Sequence, residues 1–189
     1  MPAPRPGLAG SWDRFMGPGA TPVENAGTVV GAVLGGIIGS LLPHRGRERV
    51  LGAVAGFDVL GGVWANETPA AKRWYHREGV GRFASTQFAA VHVYPFLVEA
   101  VTGRRAWRRA AVQWAGPVIA SAIVEATPPA SQERVATAAS ALAGAAGAVL
   151  APAGFRWLPP LLAVKLIHAH AAADGPLVRA LAPDRVPAG

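Results

Sequence analysis

Four ionisable side chains stand inside otherwise apolar stretches of this sequence: Asp58, His92, Lys165 and His168. An ionisable group in hydrocarbon costs roughly 2.5–3.5 kcal/mol on insertion scales, so each of the four calls for a partner or a purpose. A carboxylate beside an imidazole or an amine, away from water, can hold or release a proton near neutral pH. The reading that follows makes Asp58 an acid or base and His92 its partner. Lys165 and His168, three residues apart, would share a helical face and complete the centre, with His170 pointing elsewhere. The plainer reading is a satisfied network between helices, in which Asp58 pairs with Lys165. Ser85, His92 and Glu99 recur every seven residues and would form one stripe on a single helix. Glu99 lies at the end of that stretch, where it would meet a substrate's polar end.

A denser run follows Asp58: DVLGGVWANETPAAKRWYHREG. Gly61 and Gly62 would let another chain or a ligand come close to the helix. Asn66 and Glu67 follow, and then Lys72, Arg73, Trp74, Tyr75, His76 and Arg77 put cationic and aromatic side chains together. Such a group suits the headgroup level of a bilayer, where the basic residues would hold a phosphate or lipid headgroup above the buried acid. An aromatic belt with snorkelling arginines would read the same way. For cofactors the residues leave the question open. His92 with His168 is the natural pair for a b-type haem, and His76, His92, Glu99 and Asp58 are the natural metal set. No HExxH or comparable tight motif supports either one, and no metal site is assigned. The absence of cysteine removes disulfides, thiolate metal sites and thiol nucleophiles. No phosphate-binding glycine loop, nucleophile elbow or dinucleotide fingerprint is present.

Helices must position these groups. The chain has 189 residues, 51% hydrophobic and 15% charged, against roughly 25% charged in ordinary soluble domains. The expected fold is therefore all-α, a polytopic membrane bundle of about six helices, with five as the lower count. The spans read 25–43, 50–66, 83–103, 110–125, 135–155 and 157–173. Each approaches the roughly 20 apolar residues a bilayer core requires, and the sixth is the weakest because of its Lys and two His. Residues 1–24 read as an interfacial segment around Trp12, Phe15 and Met16, without the marks of a cleaved leader, and 174–189 as a surface tail.

The net charge of +7 comes from 16 Arg and 2 Lys against 11 acidic residues. The arginines stand in short clusters between charge-free runs, a pattern for anionic lipid and not for nucleic acid. Eight basic residues fall on one side of the six-span arrangement and nine on the other, Arg82 and Arg185 among the nine, so the positive-inside rule selects no orientation. Gly27, Gly31, Gly35 and Gly39 form a ladder on one helical face. That ladder serves tight packing within the chain or, alternatively, a homo-oligomer interface.

Together these features point to a multi-pass protein of a bacterial inner membrane, with a membrane lipid or isoprenoid as its partner. The expected activity is acid–base chemistry on that lipid, of isomerase, cyclase or transferase type. The alternative is a small transporter, channel or complex subunit with a proton-relaying polar centre.

Overall fold

In α2 (Pro22–Leu41) the glycine ladder lies directly on α3 (Gly46–Glu67). A Cβ added at Gly35 or Gly56 would overlap the other's carbonyl oxygen, and Gly39 and Gly52 stand in the same relation. Gly31 faces the Leu60 carbonyl, and Gly27 lies under the Trp64 ring. The two helices thus meet backbone to backbone, as small residues allow. This face of α2, read in the sequence as internal packing or self-association, is filled by α3 of the same chain. A capping box starts α2: Thr21 Oγ1 accepts from the Glu24 amide and Glu24 Oε2 from the Thr21 amide.

The computed structural model describes residues 1–43, 45–81 and 83–181. It is 78% helix, with no strand among the described residues. Before α2 comes α1 (Gly7–Met16), and after α3 come α4 (Pro69–Tyr75), α5 (Ala84–Ala90), α6 (Tyr94–Thr102), α7 (Trp107–Ala126) and α8 (Pro129–Leu150). A short 3-10 turn (Ala153–Phe155) then leads into α9 (Leu158–Ala163), which continues as a π-helix (Val164–Ala171); α10 (Pro176–Leu181) follows. Arg82 and residues 182–189, including Arg185 and half of the expected tail, lie outside the described residues.

The α9–π run is the centre of the molecule. It packs against α3, α7 and α8, and its π portion also meets α5. Leu158, Leu162, Leu166 and Ile167 are all buried there. The stretch that reads as the weakest span is therefore the core helix, and its Lys165 and His168 face side chains that pair with them. The most apolar helix lies at the periphery. Among the described residues, α2 is the one helix long and apolar enough to cross a membrane, with a mean hydropathy of 1.3.

The expected third helix is broken. Residues 91–93 separate α5 from α6; Pro95 has no N–H to donate to the Val91 carbonyl and its ring would clash with it, so it sits in the first turn of a new helix. The stripe of Ser85, His92 and Glu99 consequently does not form, since His92 sits in the break. The interfacial segment does contain a helix, α1, with Leu8, Trp12 and Phe15 exposed. It is tied down by a two-pronged Arg5–Asp13 pair at 2.7 and 2.9 Å and by Tyr75 donating to the Phe15 carbonyl at 2.8 Å. The Arg5 hydrogen bonds hold the Asp13 carboxyl down at about 2.

The glycine contacts make a paired prediction. Gly56→Ala forces the two backbones apart and should destabilise by about 1–3 kcal/mol, as overpacking does. At Gly36 a Cβ would meet its nearest neighbour, the Ala53 carbonyl, at 3.5 Å, so Gly36→Ala should be neutral or stabilising by up to about 1 kcal/mol. Thermal unfolding in detergent, followed by circular dichroism, separates the two. Equal effects would mean the backbone contact does not hold the pair.

Candidate functional site

Asp58 lies midway along α3, Lys165 near the start of the π-helix and His92 in the break between α5 and α6. The fold brings all three together. Lys165 Nζ donates to Asp58 Oδ2 at 2.6 Å and to His92 Nε2 at 2.9 Å. His92 Nδ1 lies 2.6 Å from the Phe88 carbonyl. A carbonyl only accepts, so the imidazole proton sits on Nδ1 and Nε2 is left to accept from the ammonium. The Lys165 side chain is 3% exposed and that of Asp58 37%. The cation is thus buried beneath a carboxylate that reaches an opening. Gly62 makes the approach of Lys165 possible, because any Cβ there would overlap the lysine stem. The Asp58 carboxylate opens into a groove of about 170 Å³ lined by Trp12, Phe15, Val29, Ala32 and Phe57, with Gly61 and Gly62 beside it. An apolar groove with a single carboxylate in its wall, backed by an amine and an imidazole, can bind an unsaturated hydrocarbon chain and exchange a proton at a carbon activated by its double bond.

His168 does not join this centre. A π-helix turns less per residue than an α-helix, so residues three apart no longer share a face. His168 Nδ1 instead contacts Glu67 Oε1 at 3.1 Å, and Lys72 Nζ lies 3.8 Å from the same oxygen. The sequence reading that merged Lys165 and His168 is replaced by two centres along α3. Asp58 and Glu67 are nine residues apart, about 13–14 Å along the helix axis.

The residues expected at a headgroup divide between two tasks. Several of them hold the carbonyls of the central run. Asn66 donates to the Lys165 carbonyl at 3.4 Å, His76 Nε2 to that of His170 at 3.0 Å, and Lys72 Nζ to those of Ala169 and Ala172, both at 2.6 Å. Ser140 of α8 and Ser121 of α7 donate to the carbonyls of Ala163 and Leu166. Lys72 is therefore an internal clamp and not a headgroup ligand. Burial pulls its amine down to about 8, pulls the His76 imidazole down to about 4 with help from the Lys72 charge, and pushes the Tyr75 hydroxyl up to about 12. Trp74 and Arg77 pair with each other. The guanidinium lies 3.6 Å over the indole and also bonds the Trp74 carbonyl. With Tyr75, Phe88 and His170 they line an open pocket of about 440 Å³. Arg73 follows on the same short helix, α4.

Glu99 is fully buried. It accepts from the Ala106 amide at 2.9 Å and faces Arg104 at 3.8 Å, so it fastens the α6–α7 connection and makes no approach to His92. Glu125 likewise accepts from the Ser85 and Thr86 amides at the start of α5. The haem pair weighed from the sequence does not meet, since His92 Nε2 is taken by Lys165 and His168 belongs to Glu67. Among the described residues no three His, Asp or Glu side chains gather as a metal set. Sequence reasoning missed Phe88, which stacks on His170 at 3.9 Å and accepts from His92 through its carbonyl. It also missed the Glu67–His168 contact, for which the sequence carries no spacing signal.

Residues 26–56, the α2–α3 pair up to the turn before Asp58, match the family model of the glycine zipper 2TM domain. Among curated proteins and among solved structures nothing matches this chain. The match and the apolar α2 indicate association with a membrane.

The buried His76 has a consequence in solution. Between pH 6.5 and about 4 the unfolded chain takes up a proton at His76 that the folded chain does not. This contribution to stability is complete above pH 6.5 and is lost as pH falls through that window. Melting temperatures of His76→Gln should therefore fall less steeply over pH 6.5–4 than those of the parent. An unchanged slope would remove His76 from the π-helix contact.

Proposed function

We propose that this chain is a multi-pass integral membrane enzyme of a bacterial inner membrane, acting on a lipid or isoprenoid by acid–base chemistry of isomerase or cyclase type. Asp58 exchanges the proton, Lys165 fixes its position, and His92 holds Lys165. Arg73, Trp74 and Arg77 contact the polar end of the substrate.

A membrane setting with about six crossing segments is supported by how side chains sort between inside and outside. Of the 23 buried hydrophobic residues among those described, 14 are Ala, while Val, Leu, Ile and Phe side chains of α2, α3, α7 and α8 face outward. Water would drive the large apolar groups inside. Lipid does not, and small residues at helix contacts are what bilayer packing favours.

The observation that carries the catalytic reading is the Asp58 carboxylate, open to an apolar groove and bonded from behind by a buried ammonium. Membranes containing the chain, incubated in D2O, should show deuterium entering carbon-bound positions of a lipid, read by mass spectrometry of the extract. Asp58→Asn should slow that incorporation by at least about 100-fold, the usual weight of a general acid or base. Gly62→Ala, which displaces Lys165, should slow it in a protein that still folds. No label above that of Asp58→Asn membranes would overturn the reading.

The Lys165 bridge between Asp58 and His92 also favours a second reading, a proton-relaying transporter or channel. In that case proteoliposomes would show proton flux that Asp58→Asn abolishes, with no deuterium in lipid.

A further inference from the structure

The Glu67–His168 contact lies in the wall of a second groove, on different faces from the Asp58 groove. Its volume is about 590 Å³, within the range of small-molecule sites. Val63 and Trp64 of α3 form one side and Ala141, Gly144 and Ala145 of α8 another, with Pro160 and Val164 from the central run. The walls are mostly apolar; Thr137 and Ser140 also line them, with their hydroxyl protons donated to the Glu133 and Ala163 carbonyls, and the ionisable side chains of the lining are Glu67 and His168. Glu67 is 5% exposed, and its Oε2 has no hydrogen-bond partner among the described residues. Its Oε1 takes the His168 Nδ1 proton. A histidine whose Nδ1–H is held by a carboxylate presents Nε2 as an acceptor.

The charge of Glu67 is balanced by Lys72 at 3.8 Å, and the Lys72 donors are directed to the Ala169 and Ala172 carbonyls. With the His168 proton held on Nδ1, the groove offers acceptors, His168 Nε2 and the hydroxyl oxygens of Thr137 and Ser140, and no free donor, while Glu67 Oε2 is buried against Gly175. A carboxylate or phosphate headgroup would find nothing to bond there. A hydroxyl would, and a bare hydrocarbon would leave the acceptors unsatisfied.

We propose that this groove is a second lipid site, which takes a long apolar chain ending in a neutral hydroxyl, with His168 accepting the hydroxyl proton in a hydrogen bond. The site is independent of the Asp58 chemistry and shares with it only the membrane setting. Free long-chain alcohols and the glycerol hydroxyl of a diacylglycerol carry the same chemistry.

The test is equilibrium binding of radiolabelled 1-hexadecanol to the full chain in detergent. Unlabelled 1-hexadecanol should compete at least about ten-fold better than hexadecane or palmitate, the ratio expected for one buried hydrogen bond and its orphaned acceptor. His168→Phe should weaken binding by a similar factor. Ala141→Phe, at an exposed groove position where folding is not at stake, should abolish it, with circular dichroism confirming the fold. Asp58→Asn should leave it unchanged. Competition by dioleoylglycerol would assign the site to a glycerolipid, and its failure to compete would assign it to single-chain alcohols; both support the proposal. Equal competition by hexadecane, retained binding in Ala141→Phe, or loss of binding in Asp58→Asn would each overturn it.

Discussion

The contact of α2 with α3 through glycine backbones is the constraint on which the rest depends. With Gly35 against Gly56 and Gly39 against Gly52, the rotation of α3 about its own axis is set, because any other face would put side chains between the two backbones. That rotation decides where Asp58, Gly62, Asn66 and Glu67 point. Gly62 then leaves the space into which Lys165 reaches, and Asn66 meets the carbonyl of the same lysine. Glu24 secures the far end of the pair. Its Oε1 accepts from the Ala70 amide at 3.0 Å and its own carbonyl accepts from Trp64 Nε1 at 3.1 Å, so α2 also fixes the start of α4.

Around this pair small residues fill much of the interior and many large apolar side chains face outward. The segment that carries Lys165, His168 and His170 lies in the middle, and its irregular π geometry is supported by donors from α3, α4, α7 and α8. Backbone groups of a π-helix at depth must find partners within the protein, since lipid supplies none. Ser121, Ser140, Asn66, Lys72 and His76 supply them. Buried carboxylates act in a parallel way at the ends of short helices. Glu24, Glu99 and Glu125 each accept backbone amides that would otherwise be unpaired.

Two polar centres on one helix differ in what they offer. At Asp58 a carboxylate reaches an opening while its cation stays buried. At Glu67 the carboxylate and its cation are both buried and an imidazole is turned outward. The first arrangement suits exchange of a proton with what enters the groove, and the second suits recognition of a donor. Phe88 links the first centre to His170 and, through it, to Tyr75, beside the pocket that Trp74 and Arg77 line.

Much of this was legible in the residues. Long charge-free runs broken by arginine clusters imply an all-helical chain associated with a membrane, since hydrophobicity and length are local properties. The four-residue glycine period implies close helix contact for the same reason. That Asp58, His92 and Lys165 would seek one another also follows from the expense of leaving any of them alone in hydrocarbon. Tertiary structure alone decided the remainder. The glycine face was committed to α3 and not to another copy because a zipper period reads identically for either partner. Lys165 and His168 parted because a π-helix changes the angle between residues, and hydrogen bonds to distant side chains, not local sequence, sustain that geometry. Glu99 and Lys72 became internal fasteners because burial depends on which helices surround a residue. The segment least suited to lipid became the core for the same reason: a charged group is stable inside a bundle when its partners arrive from elsewhere in the chain, and one-dimensional spacing does not encode that arrival.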